Sequence, residues 1–388
     1  MNMLKKENVA FTTVALCGIA NDSSTVACFV GVLPGTCGPT LPTAIIHGIW
    51  DVFDRRGIAG DDLMIQVSEY QVALYLHAFS FPFSFEDTYG NGALFPGCSL
   101  GRQGDSRYGS FSFMLEVRAE DSTKLLGVTC GHVGNPDWYN NGFTGTTIES
   151  PSAFHHDMWN QRLRKSHQFV SECQTIQSFS CTVGQLRYAT AIPDTTSGPD
   201  PKSRLDVAIF DVNGNGRTST NDPYIRVADY LNDYGGLGND VVSMAGARTG
   251  ATIGIKLSTS VAVALYHGTN LITETIEKCI VPCDSGPGVF ARPGDSGALV
   301  FDAKHKAEGI VWGGGDNKPA SNNTTVPTST AADVALQVMT SVPGLDASKF
   351  VYYTELKHVK DYIQQKLDSE YGTGNYEVLW GSGGQRWI

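Results

Sequence analysis

No stretch of this sequence reaches the ~18 consecutive apolar residues that a membrane-spanning helix needs, so no membrane partner is expected. Basic charge is also short. Lys and Arg number 28 against 39 Asp and Glu, a formal net charge of −11. A duplex nucleic-acid binder needs a basic face to displace phosphate counterions, so nucleic acid is not an expected partner either. The nine cysteines, at 17, 28, 37, 98, 130, 173, 181, 279 and 283, have no framework spacing. An odd number leaves at least one unpaired in a monomer. Cys279 and Cys283 lack a second pair at zinc-ligand spacing, so no structural metal is expected. Reduced thiols suit a cytoplasmic protein. Secretion is the alternative, because Lys5 and Lys6 precede the apolar run from Val9 to Ala20. Thr12 and Thr13 interrupt that run, which reads first as a strand. No glycine-rich phosphate loop follows it, so it is not a nucleotide site, and no cofactor is expected.

Glycine is what the chain has in excess. It has 43 in 388 residues, about 11 % where ~7 % is usual, which suits a turn-rich β protein. The length suggests two or three domains. At the N-terminus, Val9–Ala20 and Thr25–Leu33 read as strands. Thr40–Arg56 reads as a helix, with Ile45, Ile46, Ile49, Trp50 and Phe53 on one face. Leu63, Ile65 and Val67 then alternate as a further strand. Strand, helix and strand make a small α/β (βαβ) subdomain over 1–95.

From Pro96 the pattern changes to short strands separated by Gly and Asp/Asn turns. Phe111, Phe113, Leu115 and Val117 alternate strictly. Further strands are expected at Val183–Tyr188, Asp206–Val212, Val241–Ala245, Thr252–Leu257, Thr259–Tyr266, Ala298–Phe301 and Gly309–Trp312. Such a series predicts antiparallel barrels or sandwiches. The polar stretch 134–204 reads mostly as surface insertion, its histidines His155, His156 and His167 as solvated. Asp211–Asp222 has some EF-hand character, but a strand precedes it, so a Gly/Asn hairpin turn is the better reading. A C-terminal helix is expected with Thr354 as its cap, Leu356, Val359, Ile363 and Leu367 on one face, and Gly372 as its stop.

Three segments carry chemistry. Ser296 lies in Arg292-Pro-Gly-Asp-Ser-Gly-Ala-Leu-Val-Phe301. A serine hydroxyl needs a base, and the oxyanion it produces needs aimed N–H donors. Gly294 and Gly297 permit the tight turn that presents the serine and converges the N–H groups of Gly294 and Ser296. His132 ends the apolar run Leu126-Gly-Val-Thr-Cys-Gly-His-Val133, where a general base is wanted. Asp206, in Arg204-Leu-Asp-Val-Ala-Ile-Phe210, opens an apolar strand, where a buried orienting carboxylate is wanted.

These segments resemble those of chymotrypsin-fold (trypsin-like) serine peptidases. Pro96–Gly101, Gly109–Phe111 and Gly246–Gly254 narrow the resemblance to intracellular narrow-leaf-type plant and similar fungal proteins. It covers about 96–370. It implies two antiparallel barrels, one over 96–235 with a long insertion (about 134–204), bearing His132 and Asp206. The other, over 236–388, bears Ser296 and ends in the C-terminal helix. It implies His132 as base and acid, Asp206 as its orienting partner and Ser296 as nucleophile. Gly294 and Ser296 would form the oxyanion hole, and Val311, Trp312 and Gly313 the strand that binds substrate. The expected partner is a protein or peptide substrate, cleaved through an acyl-enzyme. The alternative is a latent or inert peptidase-fold module acting in protein interaction. Nothing in the sequence sets the oligomeric state.

The chain departs from secreted trypsins. Val133 follows the histidine where they carry a cysteine, and no Ile-Val-Gly-Gly follows a basic cleavage site. Activation by insertion of a new N-terminus beside Asp295 is therefore not expected, and Asp295 must find another partner or none. Phe290, six residues before Ser296, is not an acid, which disfavours a preference for Lys or Arg.

Overall fold

The computed structural model describes residues 4, 9–19, 22–36, 41–56, 63–70, 72–74, 89, 94–135, 145–166, 170–191, 194–196, 202–213, 240–267, 269–283, 288–304, 306–315 and 349–380. The protein is mainly β. Its first strands are β1 (Phe11–Ile19), β2 (Asp22–Val32), β3 (Leu63–Glu69), β4 (Val72–Leu74), β5 (Ser99–Arg102) and β6 (Tyr108–Ser110). Then come β7 (Phe113–Ala119), β8 (Ser122–Thr129), β9 (Thr147–Glu149), β10 (Thr182–Ala189), β11 (Ala208–Asp211) and β12 (Val241–Gly246). The remainder are β13 (Gly250–Lys256), β14 (Val261–His267), β15 (Asn270–Pro282), β16 (Leu299–Asp302), β17 (Ala307–Gly315), β18 (Val351–Glu355) and β19 (Tyr376–Trp380). The helices are α1 (Leu41–Asp54), the single turn α2 (Gly131–Gly134), α3 (Ala153–Ser166), α4 (Val170–Ser178) and α5 (Leu356–Tyr371). Among the described residues no helix is long and apolar enough to cross a membrane.

The chain divides into two compact units. One gathers 1–73, 257–279 and 314–350. Within it β2 and β3 run parallel, with Cys28 opposite Ile65 and Val30 opposite Val67, and α1 connects them. Antiparallel pairing of β2 with β1, β1 with β14 and β14 with β15 extends its sheet. Ile45, Ile46 and Ile49 of α1 pack on Val30, Val32 and Ile65, the apolar stripe that the helical spacing gave.

The other unit gathers 74–256, 280–313 and 351–388. One of its sheets has eight strands in the order β6-β5-β9-β10-β11-β8-β7-β19. The second runs β13-β12-β16-β17-β18, with β13 also paired to residues 280–282 of β15. Phe111, Met114, Leu186, Ala208 and Phe210 fill the core of the first sheet. Val242, Met244, Ile280, Phe290, Val300 and Val311 fill that of the second. The pairing of β8 with β11 sets Thr129 opposite Ala208. The chain leaving β8 therefore runs beside the chain entering β11.

Several expectations change. The stretch 134–204 is not mainly solvated insertion, since it forms α3, α4, β9 and β10. Its few apolar residues are used efficiently, with Trp159, Leu163 and Ile176 buried together. His155 is buried, its ring 4.2 Å from that of Tyr108. His156 Nδ1 lies 3.2 Å from the Tyr89 hydroxyl and 3.3 Å from Cys181 Sγ. Thr354 does not cap the C-terminal helix. It belongs to β18, and Glu355 holds the N-cap position of α5. The buried face of α5 and its stop at Gly372 (φ 81°) are as the spacing predicts. The calcium-like stretch, beyond residue 213, lies outside the described residues, as does His167.

Gly184 of β10 has no room for a side chain, because a Cβ there would run into the Asp211 carbonyl. Gly184→Ala is expected to cost about 1–3 kcal/mol, read as a lower urea midpoint than wild type.

Candidate active site

His132, Asp206 and Ser296 all lie in the second unit and all are buried. The β8–β11 register does the first part of the work. It places His132, three residues past Thr129, beside Asp206, two residues before Ala208. The His132 N–H donates to Asp206 Oδ1 at 3.0 Å. The ring Nδ1 lies 2.6 Å from Asp206 Oδ2, so a proton on Nδ1 leaves Nε2 as the base. Gly131 makes this approach possible, since a Cβ there would sit 2.8 Å from Asp206 Oδ1. Thr190 braces the lead-in to β11 from β10, accepting the Val207 N–H at 2.9 Å.

Asp206 Oδ2 also accepts from Arg204, at 3.0 Å from Nη2 and 3.2 Å from Nε. Burial opposes the carboxylate charge. The His132 ring and the Arg204 guanidinium outweigh it and hold Asp206 well below the usual carboxylate range.

Ser296 sits in a turn with two glycines at positive φ, Gly294 at 107° and Gly297 at 94°. L side chains rarely adopt that conformation. The turn is held by its carbonyls. The Ser296 carbonyl accepts the Ser110 N–H at 2.6 Å, the Gly294 carbonyl accepts Ser110 Oγ at 3.3 Å, and the Gly297 carbonyl accepts Ser112 Oγ. The Gly297 N–H donates to the Val311 carbonyl at 2.8 Å. Neither the Gly294 nor the Ser296 N–H donates to a protein acceptor among the described residues. Gly109 lets β6 come this close, because its Cβ would collide with the Ser296 carbonyl and Val133.

Asp295 is buried and binds main chain instead of an N-terminus. It accepts N–H bonds from Arg248 (2.9 Å), Thr249 (3.1 Å) and Arg292 (2.8 Å). Burial pushes its carboxyl up against those three N–H groups. The β12–β13 hairpin thereby holds the serine turn from beneath, and the Ala247 N–H reaches Ser110 Oγ at 2.9 Å.

The three residues expected to bind substrate lie on β17. The Trp312 carbonyl accepts the Ser296 hydroxyl at 3.2 Å. The Val311 N–H donates to the Ala298 carbonyl at 2.9 Å, and its own carbonyl accepts the Gly297 N–H and Cys130 Sγ. Gly313 is buried beside them. Phe290 is a core residue of the second sheet, so its side chain does not line an open specificity pocket.

Sequence reasoning did not find Arg204, Ser110, Ser112 or Gly109. Gly109 and Ser110 stood in a segment that carried the resemblance but were given no role, and Arg204 left a signal of its own, since alternate residues of an extended segment share a side and Arg204-Leu205-Asp206 has that spacing. Among the described residues, Cys130, His132 and Asp206 are the group whose ligand atoms fall within 4.8 Å of one another. The carboxylate and imidazole are engaged with each other, and burial pushes the Cys130 thiol well up. A metal needs a thiolate, so this donor set does not fit one.

No protein-family model matches the chain, and no curated protein does. Among solved structures, a glutamic acid specific serine protease described as using a novel histidine triad in substrate binding is 14 % identical. That match covers 70 % of this chain and 97 % of the other, with a TM-score of 0.35. Protease A of Thermobifida fusca is 14 % identical over 74 % of this chain and 100 % of its own, with a TM-score of 0.33. A chymotrypsin of Cellulomonas bogoriensis is 18 % identical over 56 % and 82 %, with a TM-score of 0.28. Identity and score are low throughout, so these likenesses carry no argument about the chemistry of this chain.

Because the folded pKa of Asp206 is depressed, its contribution to stability is complete above the unfolded value of about 4 and fades as pH falls below it. Asp206→Asn is expected to cost about 3 kcal/mol near pH 7, and the gap from wild type should narrow below pH ~4. Urea unfolding at a series of pH values checks this.

Proposed function

We propose that the protein is a serine endopeptidase that cleaves peptide bonds through an acyl-enzyme. The observation that carries the reading is the buried His132–Asp206 pair, with its 2.6 Å ring contact, in the same compact unit as a serine on a two-glycine turn. In this reading the Ser296 hydroxyl leaves the Trp312 carbonyl and gives its proton to His132 Nε2 as Oγ attacks the substrate carbonyl carbon. The N–H groups of Gly294 and Ser296 receive the oxyanion. His132 returns the proton to the leaving amine as the C–N bond breaks. Water then repeats the sequence on the ester. Asp206 holds the ring tautomer throughout and stabilises the imidazolium.

The finer architecture belongs to the same proposal. Strands β5–β11 of the eight-stranded sheet, with α3 and α4, stand for the first barrel (96–235), although β19 from beyond residue 236 completes that sheet, and the sheet around β12, β16 and β17 stands for the second (236–388). Val311, Trp312 and Gly313 remain the proposed substrate-binding residues, on a strand that lies between β16 and β18 in its sheet. No cofactor enters the chemistry.

A fluorophosphonate phosphonylates a serine that an adjacent base activates. Ser296 is buried in this structure, so the probe reports access as well as activation. Wild type is expected to label, and Ser296→Ala to lose the label and on the order of 10⁴–10⁶ in turnover of a peptide ester. Folded wild-type protein that neither labels nor turns over would overturn the reading.

A further inference from the structure

Arg204 has no part in the triad chemistry above, yet it is built into the site from three directions. Its side chain is 1 % exposed. Nη2 and Nε both point to Asp206 Oδ2, the oxygen that His132 Nδ1 also contacts. The guanidinium carbon lies 5.1 Å from the Trp312 ring centroid, and that ring stacks on Tyr352 at 5.4 Å. The Arg204 carbonyl accepts the Thr354 hydroxyl at 3.1 Å. Trp312 is also the residue whose carbonyl receives the Ser296 hydroxyl. One side chain therefore joins the carboxylate to the strand beside the nucleophile.

A buried guanidinium is costly unless paired, and removing its partner costs more than exchanging both for apolar groups. A structural pairing alone asks only that Asp206 stay ionised. The shared oxygen adds a second consequence. A carboxylate divided between a cation and an imidazole attracts the imidazole proton less than one that serves the imidazole alone. An imidazolium formed during acylation would then give up its proton more readily to a leaving amine.

We propose that Arg204 is a positioning residue of this site, fixing the Asp206 carboxylate on His132 and keeping the imidazole a weaker base than Asp206 alone would make it. For its effect on turnover the proposal rests on the serine-peptidase reading; for its effect on the imidazole it does not. Besides Asp206, the titratable group beside the ring among the described residues is Cys130 on the same turn, and Thr190, just past β10, stands beside Gly131. Neither is altered by the variants below.

The test follows the His132 imidazole by NMR of histidine-labelled protein across pH, its signal assigned by loss in His132→Gln. Arg204→Gln removes the charge, and Arg204→Lys keeps it without the fork or the stacking. The expected result is a midpoint raised by about one pH unit in Arg204→Gln and largely restored in Arg204→Lys. The acid limb of fluorophosphonate labelling should move by the same amount. Equal midpoints in wild type and folded Arg204→Gln overturn the proposal. If Arg204→Gln does not fold, the comparison moves to Asp206→Asn and the double variant Arg204→Met/Asp206→Asn, where no buried carboxylate is left unpaired. The midpoint should again be higher without the arginine, and equality there overturns the proposal as well. A wild type that titrates normally but never labels would instead sink the peptidase reading, leaving the Arg204 result to stand by itself.

Discussion

The structure around the site depends on one buried carboxylate. Asp206 is 1 % exposed, and a charge so placed persists only if donors surround it. It has four contacts of this kind: the His132 N–H, the His132 ring, and two nitrogens of Arg204. Each depends on a feature elsewhere. The main-chain bond needs Gly131 to be a glycine, and the ring contact needs the β8–β11 register. The arginine needs Trp312 and Thr354 to hold it in place. A slip of one residue between β8 and β11 would turn each side chain to the opposite face and leave the carboxylate buried with no ring to bind.

A second constraint acts on the nucleophile. The serine turn needs two residues at positive φ, and Gly294 and Gly297 supply them without the cost an L side chain would carry. Its carbonyls are then fixed from two sides. Ser110 and Ser112, which lead into β7, hold three of them, and the β12–β13 hairpin grips Asp295 with its own N–H groups. Ser110 is the meeting point. Its N–H, hydroxyl and carbonyl bind Ser296, Gly294 with Ala247, and Thr129 respectively. Three main-chain N–H groups, of Arg248, Thr249 and Arg292, hold the Asp295 carboxyl in place.

Much of this was legible in the residues. The helical stripe of Ile45, Ile46 and Ile49, the alternation from Phe111 to Val117 and the buried face of α5 are periodic patterns, and periodicity survives into the fold because it is what packing reads. Gly294-Asp295-Ser296-Gly297 named its own turn, because glycine at positive φ is a local requirement. Where local pattern was weak, the reading failed. Thr354 carries a capping side chain at the right distance from a helix, but its hydroxyl found the Arg204 carbonyl, 150 residues away in sequence. His155 looked solvated in a polar stretch and is buried against Tyr108. Trp159, Leu163 and Ile176 were too sparse to announce a helical layer.

What the sequence determined by itself was the chemical inventory and the local geometry: a histidine at a strand end, an acid opening a strand, a serine between glycines, and no cofactor motif. These follow from side-chain type and backbone preference within a few residues. Only the tertiary structure decided which groups meet. It put the Arg204 guanidinium on Asp206, gave Asp295 its main-chain partners, and aimed the Ser296 hydroxyl at Trp312. Those choices depend on strand register and on the desolvation of charges brought together from distant segments, and neither is written in any one stretch of chain.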